Sequence, residues 1–438
     1  MIGQRYLKKN VYEMAKERIA IAFNEFEKVL VAFSGGKDSG VMLNLCYEYA
    51  KENNLLHKMA MYYEDYEGGY NLTAEYVERC FNSYEGIEKF WFCLPIRARC
   101  AVSMLQSHWI PWNRDEEEIW IRQYPKSPYL ITEDNCPFEF EKGTSGFNTR
   151  IDIARWYAKK NGKTAVMIGI RADESYDRLM AICRTNRKSL YNDLRYTRVI
   201  NKSVVNFYPI YDWSTDDIWI ANAKFNWDYN KLYDLFYKAG LDIRQMRVAS
   251  PFHECGQANL KLFKVIEPDT WGRMVSRVNG VNFTGLYGGT TAMGWKNIKK
   301  PPHFTWQQYA MFLIETLPKE AKETIMYHIE RLNWTWVNKG YGRNPQVIAQ
   351  MEKEGIELEH TGEIAKNCTK PNKIYEIVKR KSGMPEETEI PIFRKCPNWK
   401  GICITVLKND FTCQYMGVGR TPKQLERRAE LLEKYKGL

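Results

Sequence analysis

The chain has 438 residues, of which 44% are hydrophobic, as is typical of a globular protein with about two or three domains. No run of about eighteen apolar residues is present, so we expect no membrane span. Residues 1–10 lack the apolar core of a signal peptide, and the eleven scattered cysteines include no C-x-x-C pair, which favours reduced thiols in a cytoplasm. The net charge of +11 reflects either solubility or a phosphate-rich partner.

The first predicted elements are a helix capped by Asn10 and a buried strand from Val29 to Phe33. The strand runs into the string Ser34-Gly-Gly-Lys-Asp-Ser39, and Val41 then begins an apolar helical run. This order places backbone N–H groups and a positive helix end at one point, which attracts phosphate. The spacing excludes a Walker A loop and a dinucleotide fingerprint.

Each residue type in this string suits a phosphate ligand. Gly35 and Gly36 let the backbone approach the ligand, Lys37 adds a mobile positive charge, and Ser34 and Ser39 offer hydroxyl donors. The string resembles the PP-loop of the ATP pyrophosphatase superfamily. The resemblance implies an adenine nucleotide with its terminal phosphates on the loop and cleavage between the α- and β-phosphates.

Further strands are predicted at Lys58–Tyr63 and Phe90–Ile96, which favours a parallel, doubly wound α/β sheet. Glu64-Asp65 follows the first of them and either faces a ribose or a metal or forms a solvated turn. Residues 97–147 are rich in Trp, Tyr and Pro, and we interpret them as an insertion. It is either a lid over the sheet edge or a second small aromatic core.

A helix near Asn148–Lys160, ended by Gly162, leads into a strand at Thr164–Ile170. Arg171 and Arg178 follow this strand, at the end where open α/β sheets bind ligands. Arginine suits forked phosphate contacts, and the alternative is a surface turn with ion pairs. After the glycine loop, we favour the functional interpretation.

The stretch from Arg178 to Lys202 carries seven basic residues against one acid, Asp193. It is either a surface for DNA, tRNA or polyphosphate or a basic helix face without a partner. A fifth strand is predicted at Phe207–Ile210, and Ser214 is predicted to cap the next helix.

The second half is predicted to be mostly helical, with two helices in Phe304–Trp336 broken at Pro318. Gly280–Gly294 is either a phosphate-contacting loop or, as we favour, a connector. Thr421-Pro422 begins a final charged helix. Four cysteines have spacings that match no standard zinc or iron–sulfur site: Cys368, Cys396, Cys403 and Cys413.

Three strings in the first half resemble the phosphoadenosine phosphosulfate (PAPS) reductase family. They are Ser34–Ser39, then Gly169-Ile-Arg-Ala-Asp-Glu-Ser175 with Arg178, then Pro209-Ile-Tyr-Asp-Trp213. The resemblance implies an adenine nucleotide α-hydrolase-like fold. In it, residues 34–39 hold phosphates and Arg171 and Arg178 meet phosphate or sulfate groups.

The second half is similar to a branch of immunoglobulin-binding regulator A-type proteins, whose members often pair with a ParB/sulfiredoxin-like partner. The similar segments are Trp227–Pro251, Gly285–Trp295 and Pro397–Asp410. Two features depart from true reductases. The chain keeps an intact Ser-Gly-Gly-Lys-Asp-Ser string, and its Glu-Cys-Gly core around Cys255 lies mid-chain with Gln257-Ala258 where X-His belongs. We interpret Cys255 as a buried thiol, because an activated thiolate needs a positive, partly open site.

Together these patterns predict a PP-loop domain at 1–230, a helical domain at 231–340 and a small domain at 341–438. The predicted reaction splits ATP into AMP and pyrophosphate, with AMP passing to an acceptor. Lys37, Asp38 and Arg171 are the predicted catalytic residues, and Asp38 is the predicted Mg²⁺ ligand. The alternatives are a thiol-dependent sulfonucleotide reductase and a nucleotide-sensing, nucleic-acid-binding regulator with a ParB-like partner.

Overall fold

The structure is a computed structural model that describes residues 8–103, 105–174, 178–179, 182, 189–243, 245–253, 256–287, 298–365, 375–411, 413 and 416. The chain divides into two compact units: Met1–Arg99 with His108–Val278 (unit 1), and Cys100–Ser107 with Asn279–Leu438 (unit 2). The predicted boundaries near residues 230 and 340 do not coincide with this division, and the three-domain organisation stays a prediction.

The core of unit 1 is a β-sheet flanked by helices, an α/β arrangement. The strands of unit 1 are β1 (Lys28–Phe33), β2 (Met59–Glu64), β3 (Glu88–Phe92), β4 (Ala98–Arg99), β5 (His108–Trp109), β6 (Leu130–Ile131), β7 (Thr164–Ile168), β8 (Thr197–Val199) and β9 (Val204–Phe207). Seven strands form one sheet in the order β6-β3-β2-β1-β7-β9-β8, parallel except for β8 with β9, and β4 pairs with β5 separately. The chain leaves β1 toward β2, β3 and β6 and returns to β7 on the other side. This reversal confirms the predicted doubly wound sheet.

Helices cover both faces of this sheet. The helices of unit 1 are α1 (Val11–Glu25), α2 (Lys37–Glu52), α3 (Asn71–Ser83), α4 (Gly146–Asn161), α5 (Thr215–Lys224), α6 (Leu232–Lys238), α7 (Phe263–Ile266) and α8 (Pro268–Arg277), of which α1 to α5 pack on the sheet. Successive side chains of β1 point to opposite faces. Val29 and Val31 therefore join a hydrophobic cluster with α1, α2, α3 and α5, whereas Leu30 joins a second cluster with α4.

The helix ends predicted at Asn10, Gly162 and Ser214 are confirmed. The Asn10 and Ser214 side chains each accept a hydrogen bond from a first-turn N–H group, and each forms a reciprocal capping box. Gly162 ends α4 with a φ of 94°, a conformation that glycine adopts without a steric penalty. These ends fix where the chain enters and leaves the sheet.

Two strand predictions are wrong in their bounds. The fifth strand ends at Phe207 instead of beginning there, because Pro209 has no N–H group with which to continue a ladder. The third strand ends at Phe92, before Pro95, for the same reason. The antiparallel edge strand β8 was not predicted, because it lies inside the basic stretch.

The insertion at 97–147 contains a cluster of aromatic rings. Trp112 is fully buried and lies 5.3 Å from the Trp120 ring and 4.9 Å from the Tyr124 ring, measured between centroids. The insertion also supplies β6 at one edge of the main sheet. Trp112 and Trp120 belong to the same hydrophobic cluster as Val29 and Val31 of β1, so these rings extend the main core instead of forming a second one, and the lid stays a prediction.

Unit 2 is mostly helical, as the sequence predicts. Its helices are α9 (Val281–Tyr287), α10 (Trp306–Glu315), α11 (Lys319–Asn338), α12 (Pro345–Lys353) and α13 (Trp399–Leu407). The predicted break at Pro318 is confirmed, since Pro318 is the N-cap of α11. An unpredicted antiparallel sheet has the order β10 (Tyr341–Arg343), β12 (Glu376–Arg380), β11 (Leu358–Ile364).

A short segment from the first quarter of the chain belongs to unit 2. Residues 100–107 lie between β4 and β5 in sequence, yet they cluster with residues 279 onward. The Val102 carbonyl accepts a hydrogen bond from Thr284 Oγ1 at 2.8 Å, and the Ala101 carbonyl accepts one from Asn409 Nδ2 at 3.2 Å. Unit 2 is therefore assembled from two separate stretches of chain.

Cys396, Cys403 and Cys413 are buried thiols, while Cys368, Cys255, most of Gly280–Gly294 and the helix after Thr421 fall outside the described residues. Within the described ranges, no cluster of three or more His, Cys, Asp or Glu side chains is arranged to hold a metal ion. No described helix combines the length and apolar character needed to cross a membrane.

His328 gives unit 2 a predicted sensitivity to acid. This residue of α11 is buried, and burial, with a smaller effect from the Arg331 charge, lowers its pKa from 6.5 to about 4. The unfolded chain therefore binds a proton on His328 between these values while the folded chain does not, so stability falls as pH drops from 6.5 toward 4. We expect unfolding by urea to show this loss and to show less of it in His328→Gln.

The exposed His360 provides the control for this measurement. Hydrogen bonds to Glu352 and Glu376 raise its pKa, so its contribution is present below pH 6.5 and is lost as pH rises. His360→Gln should therefore leave the acid-side loss in place. An equal loss in His328→Gln and in the unsubstituted protein would contradict the prediction.

Candidate functional site

The glycine loop joins β1 to α2 and is closed by its own serines. The Ser34 N–H group donates to Ser39 Oγ at 3.1 Å, the two hydroxyl oxygens lie 2.9 Å apart, and Ser39 Oγ donates to the Gly36 carbonyl at 3.0 Å. Gly35 has a φ of +70°, in the left-handed region that favours glycine. The predicted hydroxyl donors therefore shape the loop in this structure.

Gly36 is the N-cap of α2, so no side chain at that position accepts from the first-turn amides. This 16-residue helix has partly positive first-turn N–H groups at the loop, of which that of Lys37 donates to the Tyr233 hydroxyl. This is the local arrangement that the sequence predicts for an anion-binding loop.

Arg171 reaches this loop from the neighbouring strand. β1 and β7 are adjacent, and the chain runs away from them in opposite directions, so the loop lies at the topological switch point of the sheet. Gly169, after β7, passes so close to α2 that a Cβ there would lie 2.9 Å from the Asp38 carbonyl oxygen. The buried Arg171 then pairs through Nε with Asp38 Oδ1, and its other nitrogens contact the Trp213 carbonyl and Thr215 Oγ1.

Lys37 differs from the mobile cation that we predicted. Its side chain is only 5% exposed, and its ammonium lies 3.2 Å from Asp38 Oδ2 and 3.4 Å from the Met246 carbonyl oxygen. A buried charge needs such partners, which explains why this lysine is held in place. The structure thus brings Lys37, Asp38 and Arg171 together, with the carboxylate between the two cations.

The metal role predicted for Asp38 receives no support from this arrangement. Both carboxylate oxygens are engaged, one by Arg171 and the other by Lys37. Asp38 as arranged here does not fit the role of a Mg²⁺ ligand. The metal role stays a prediction.

Arg178 contacts Glu174, whereas Arg171 contacts Asp38 of the loop. Arg178 is half exposed and pairs with the Glu174 carboxylate, which also accepts from the Arg171 backbone N–H at 3.3 Å. Glu174 is thus shared by both predicted arginines. Of the predicted basic surface, residues 183–188 are outside the described residues, and Arg195, Arg198 and Lys202 are described.

The acidic pair at the end of β2, Glu64 and Asp65, makes two different sets of contacts. Asp65 is buried, accepts from Trp91 Nε1 at 2.9 Å and pairs with Arg122, so it is a structural residue. The Glu64 side chain is only 8% exposed, and its Oε2 accepts from the Tyr66 hydroxyl at 2.8 Å. Burial raises the pKa of Glu64, with Arg150 acting in the opposite direction.

A cavity of about 140 Å³ opens between the carboxyl ends of β1 and β2. Its lining includes Ser34, Glu64, Tyr70, Arg247 and Ser250. Three of these carry a buried polar atom with no hydrogen-bond partner among the described residues: Glu64 Oε1, Tyr70 Oη and Ser250 Oγ. Buried polar atoms are normally paired, so these three atoms behind the lining are exceptional, and the carboxylate, guanidinium and hydroxyl groups of the lining suit a polar ligand.

Sequence reasoning missed the side chains that support the loop from residues 230–247. Asn230 Nδ2 donates to the Gly35 carbonyl at 3.0 Å, the Lys37 N–H group donates to the Tyr233 hydroxyl at 3.0 Å, and Arg247 donates to the Glu174 carbonyl at 2.7 Å. The one signal in the sequence was the resemblance of Trp227–Pro251 to the regulator A-type branch. That resemblance assigned no role to these residues.

Comparison with known proteins identifies the family. The chain is 32% identical over 418 residues to the uncharacterized protein YbdN of Escherichia coli (strain K12), covering 94% of this chain and 91% of that protein. The chain belongs to the YbdN family. Residues 134–239 match the phosphoadenosine phosphosulfate reductase domain, and residues 240–427 match a domain of unknown function, DUF3440.

The reductase-domain match confirms the predicted superfamily for this YbdN relative: it is a PAPS reductase-like protein of the PP-loop group. Solved structures with partial likeness include a Candida glabrata FMN adenylyltransferase (13% identity, 51% of this chain and 57% of that chain, TM-score 0.30). Another is a phosphate complex of Candida auris PAPS reductase (12% identity, 57% of this chain and 97% of that chain, TM-score 0.30). At these TM-scores the superpositions carry no argument about function.

Proposed function

We propose that this protein binds ATP on the loop 34–39 and cleaves it between the α- and β-phosphates. The observation that carries the proposal is the meeting of the α2 N-terminus with Lys37 and Arg171 at the switch point of the sheet. Two cations with the single Asp38 carboxylate between them keep a net positive charge, which together with the amide dipoles suits a triphosphate. Membership of a PAPS reductase-like family supports an adenine nucleotide.

In the proposed reaction, an oxygen or nitrogen of the acceptor attacks the α-phosphorus. The bond from that phosphorus to the bridging oxygen breaks, pyrophosphate leaves with the electron pair, and the acceptor loses its proton to solvent. Negative charge grows on the leaving pyrophosphate, where Lys37 and the first-turn amides of α2 stabilise it. Arg171 and Arg178 hold the phosphates in position. With water as the acceptor the product is AMP.

The base of the nucleotide is proposed to occupy the cavity beside Ser34. The cavity begins at the first residue of the loop, so a nucleotide with its phosphates on the loop reaches it directly. Glu64 Oε1, Tyr70 Oη and Ser250 Oγ are unpaired within the described chain but buried, so the edge of a nucleobase would pair with them after their side chains turn toward the cavity. The cavity volume, about 140 Å³, is of the size of a single base and not of a whole nucleotide.

The test is to incubate the protein with Mg²⁺-ATP and to identify the products. We expect AMP and pyrophosphate in equal amounts, and we expect Lys37→Ala to lower their release roughly a hundredfold because an oxyanion-stabilising group is lost. The control is Lys51→Ala, at the other end of the same helix, which should release both products normally. ADP and phosphate as products, or full release by Lys37→Ala, would contradict the proposal.

The same assay with DNA or tRNA added tests the proposed nucleic-acid partner. Binding through the basic residues of 178–202 would weaken steeply as salt is raised. A ParB/sulfiredoxin-like protein is the other proposed partner, and its addition should raise turnover if it completes the site.

A sulfonucleotide reductase is the second candidate, favoured by the domain match at residues 134–239. It would consume PAPS and two electrons from a thiol reductant, releasing sulfite and adenosine bisphosphate. Sulfite formed with PAPS and abolished by Cys255→Ser would support this candidate. Turnover of ATP with Cys255→Ser unaffected would support the ATP-cleaving function instead.

A further inference from the structure

Tyr233 lies at the mouth of the glycine loop, although it comes from α6. Its hydroxyl oxygen accepts a hydrogen bond from the Lys37 backbone N–H group at 3.0 Å. A Cβ built on Gly36 would lie 3.5 Å from the same oxygen. The Lys37 ammonium lies 5.5 Å from the centre of the Tyr233 ring. The phenol therefore occupies the point at which the α2 N-terminus meets an incoming anion.

The ring of Tyr233 is held firmly in this place. It is 3% exposed and packs edge-on against Trp219, at 5.2 Å between centroids, and against Phe236, at 6.2 Å. Displacing such a ring would open a cavity in a close-packed region, which is costly. Tyr233 is thus a fixed part of the site.

The phenolic proton of Tyr233 is available for donation. Burial raises the pKa of Tyr233 far above its usual value, and the nearby Asp38 charge raises it further, so the phenol stays protonated at physiological pH. Backbone N–H groups of Lys37 and Val248 act in the opposite direction but are outweighed. The hydroxyl accepts from Lys37, and no described residue accepts a hydrogen bond from the hydroxyl.

An accepted hydrogen bond strengthens the next one in a chain. The N–H group at the positive end of α2 polarises the phenol, which makes its O–H a better donor. A hydrogen bond from such a group to an anion is stronger than one between neutral partners. The N–H, the phenol oxygen and a phosphate oxygen would then form one continuous chain.

We propose that Tyr233 completes the phosphate site of this protein by donating its hydroxyl proton to an oxygen of the pyrophosphate part of the nucleotide. The inference rests on the proposed function for the identity of the ligand. It goes further in assigning part of the phosphate contact to a side chain about 200 residues beyond the loop. Because the phenol covers the Lys37 amide, the positive end of α2 acts on the anion through the Tyr233 hydroxyl.

The test is binding of inorganic pyrophosphate, measured by calorimetry with Tyr233→Phe. We expect affinity to fall about tenfold or more, because one hydrogen bond to a charged group is lost. The matched control is Tyr237→Phe, since Tyr237 lies on the same helix but is 75% exposed. Its pyrophosphate affinity should be unchanged.

A purely structural role for Tyr233 predicts a different result. If the phenol only caps α2, Tyr233→Phe frees the Lys37 amide for the anion, and pyrophosphate affinity stays the same or rises. Either outcome would overturn the proposal, and so would failure of the unsubstituted protein to bind pyrophosphate. AMP binding, which does not use this contact, should be equal in both proteins and shows that the site is folded.

Two further measurements separate the possible failures. Should Tyr233→Phe not fold, Tyr233→Met is the second apolar variant, because methionine fills irregular gaps well. A tenfold loss of pyrophosphate binding without any cleavage of ATP would retain Tyr233 in the phosphate site and reject the proposed function. Cleavage of ATP with unaltered pyrophosphate binding in Tyr233→Phe would reject only the role of Tyr233.

Discussion

Gly35→Ala should lower ATP cleavage by roughly a thousandfold, because it displaces several loop amides at once. Gly35 has a φ of +70°, and a Cβ there would lie 2.9 Å from Thr73 Cγ2 and 3.1 Å from Val77 Cγ2. Thr73 cannot turn away easily, since its side chain is β-branched and its hydroxyl accepts a hydrogen bond from Asn230 at 2.9 Å. The loop itself must therefore move. Release of pyrophosphate from Mg²⁺-ATP measures the effect.

Gly240→Ala is the matched control for this substitution. Gly240 also has a positive φ, of +78°, but a Cβ there meets nothing within 4 Å. Both variants carry the strain of a left-handed alanine, about 1–2 kcal/mol, whereas Gly35→Ala alone crowds the loop. Equal activity in the two variants would show that the shape of the loop does not govern the reaction.

Glu67→Ala should destabilise unit 1 by about 3–5 kcal/mol, the usual effect of removing one partner of a buried ion pair. Glu67 is fully buried and accepts from Arg277 at 2.9 and 3.2 Å. It also accepts from the backbone N–H groups of Trp112 and Ile121, at 2.8 and 2.9 Å. Without Glu67 these donors lose their acceptor, and Glu116 is then the only carboxylate among the described residues that pairs with the buried Arg277. Chemical denaturation measures the free energy of unfolding.

The exposed ion pair between Arg79 and Asp228 is the control for Glu67. Its side chains are 43% and 48% exposed, so Asp228→Ala should cost less than about 1 kcal/mol. A cost for Glu67→Ala as small as that for Asp228→Ala would mean that the insertion and α8 are held without this carboxylate.

Local signals allowed the phosphate loop and its surrounding sheet to be predicted. The order of strand, glycine pair and helix around Gly35 needs only neighbouring residues, and so do the caps at Asn10 and Ser214 and the break at Pro318. The end of the third strand at Phe92 was misplaced because the apolar run continues to Ile96, although Pro95 interrupts the ladder.

Pairing across long separations could not be predicted. The contacts of Asp38 with Arg171 and of Lys37 with Tyr233 join residues 133 and 196 positions apart, and no local pattern encodes them. Asp65 illustrates the same limit: its position after a strand suggested a ligand contact, yet the distant Arg122 and Trp91 occupy it. Fold class follows from local periodicity, whereas the charge balance of the site depends on tertiary neighbours.

Residues 100–107 belong to unit 2 but are synthesised before most of unit 1, and this affects the order of folding during synthesis. Val102 leaves the ribosome 182 residues before Thr284, and Ala101 leaves 308 residues before Asn409, the partners that complete their hydrogen bonds. Synthesis of unit 1 is complete at residue 278, when none of the unit 2 residues from 279 onward has yet been made to pair with residues 100–107. A fragment beginning at residue 279 would lack an internal piece of its own fold. Separate expression of unit 2 therefore requires the segment to be supplied, for example by fusing residues 100–107 to the fragment.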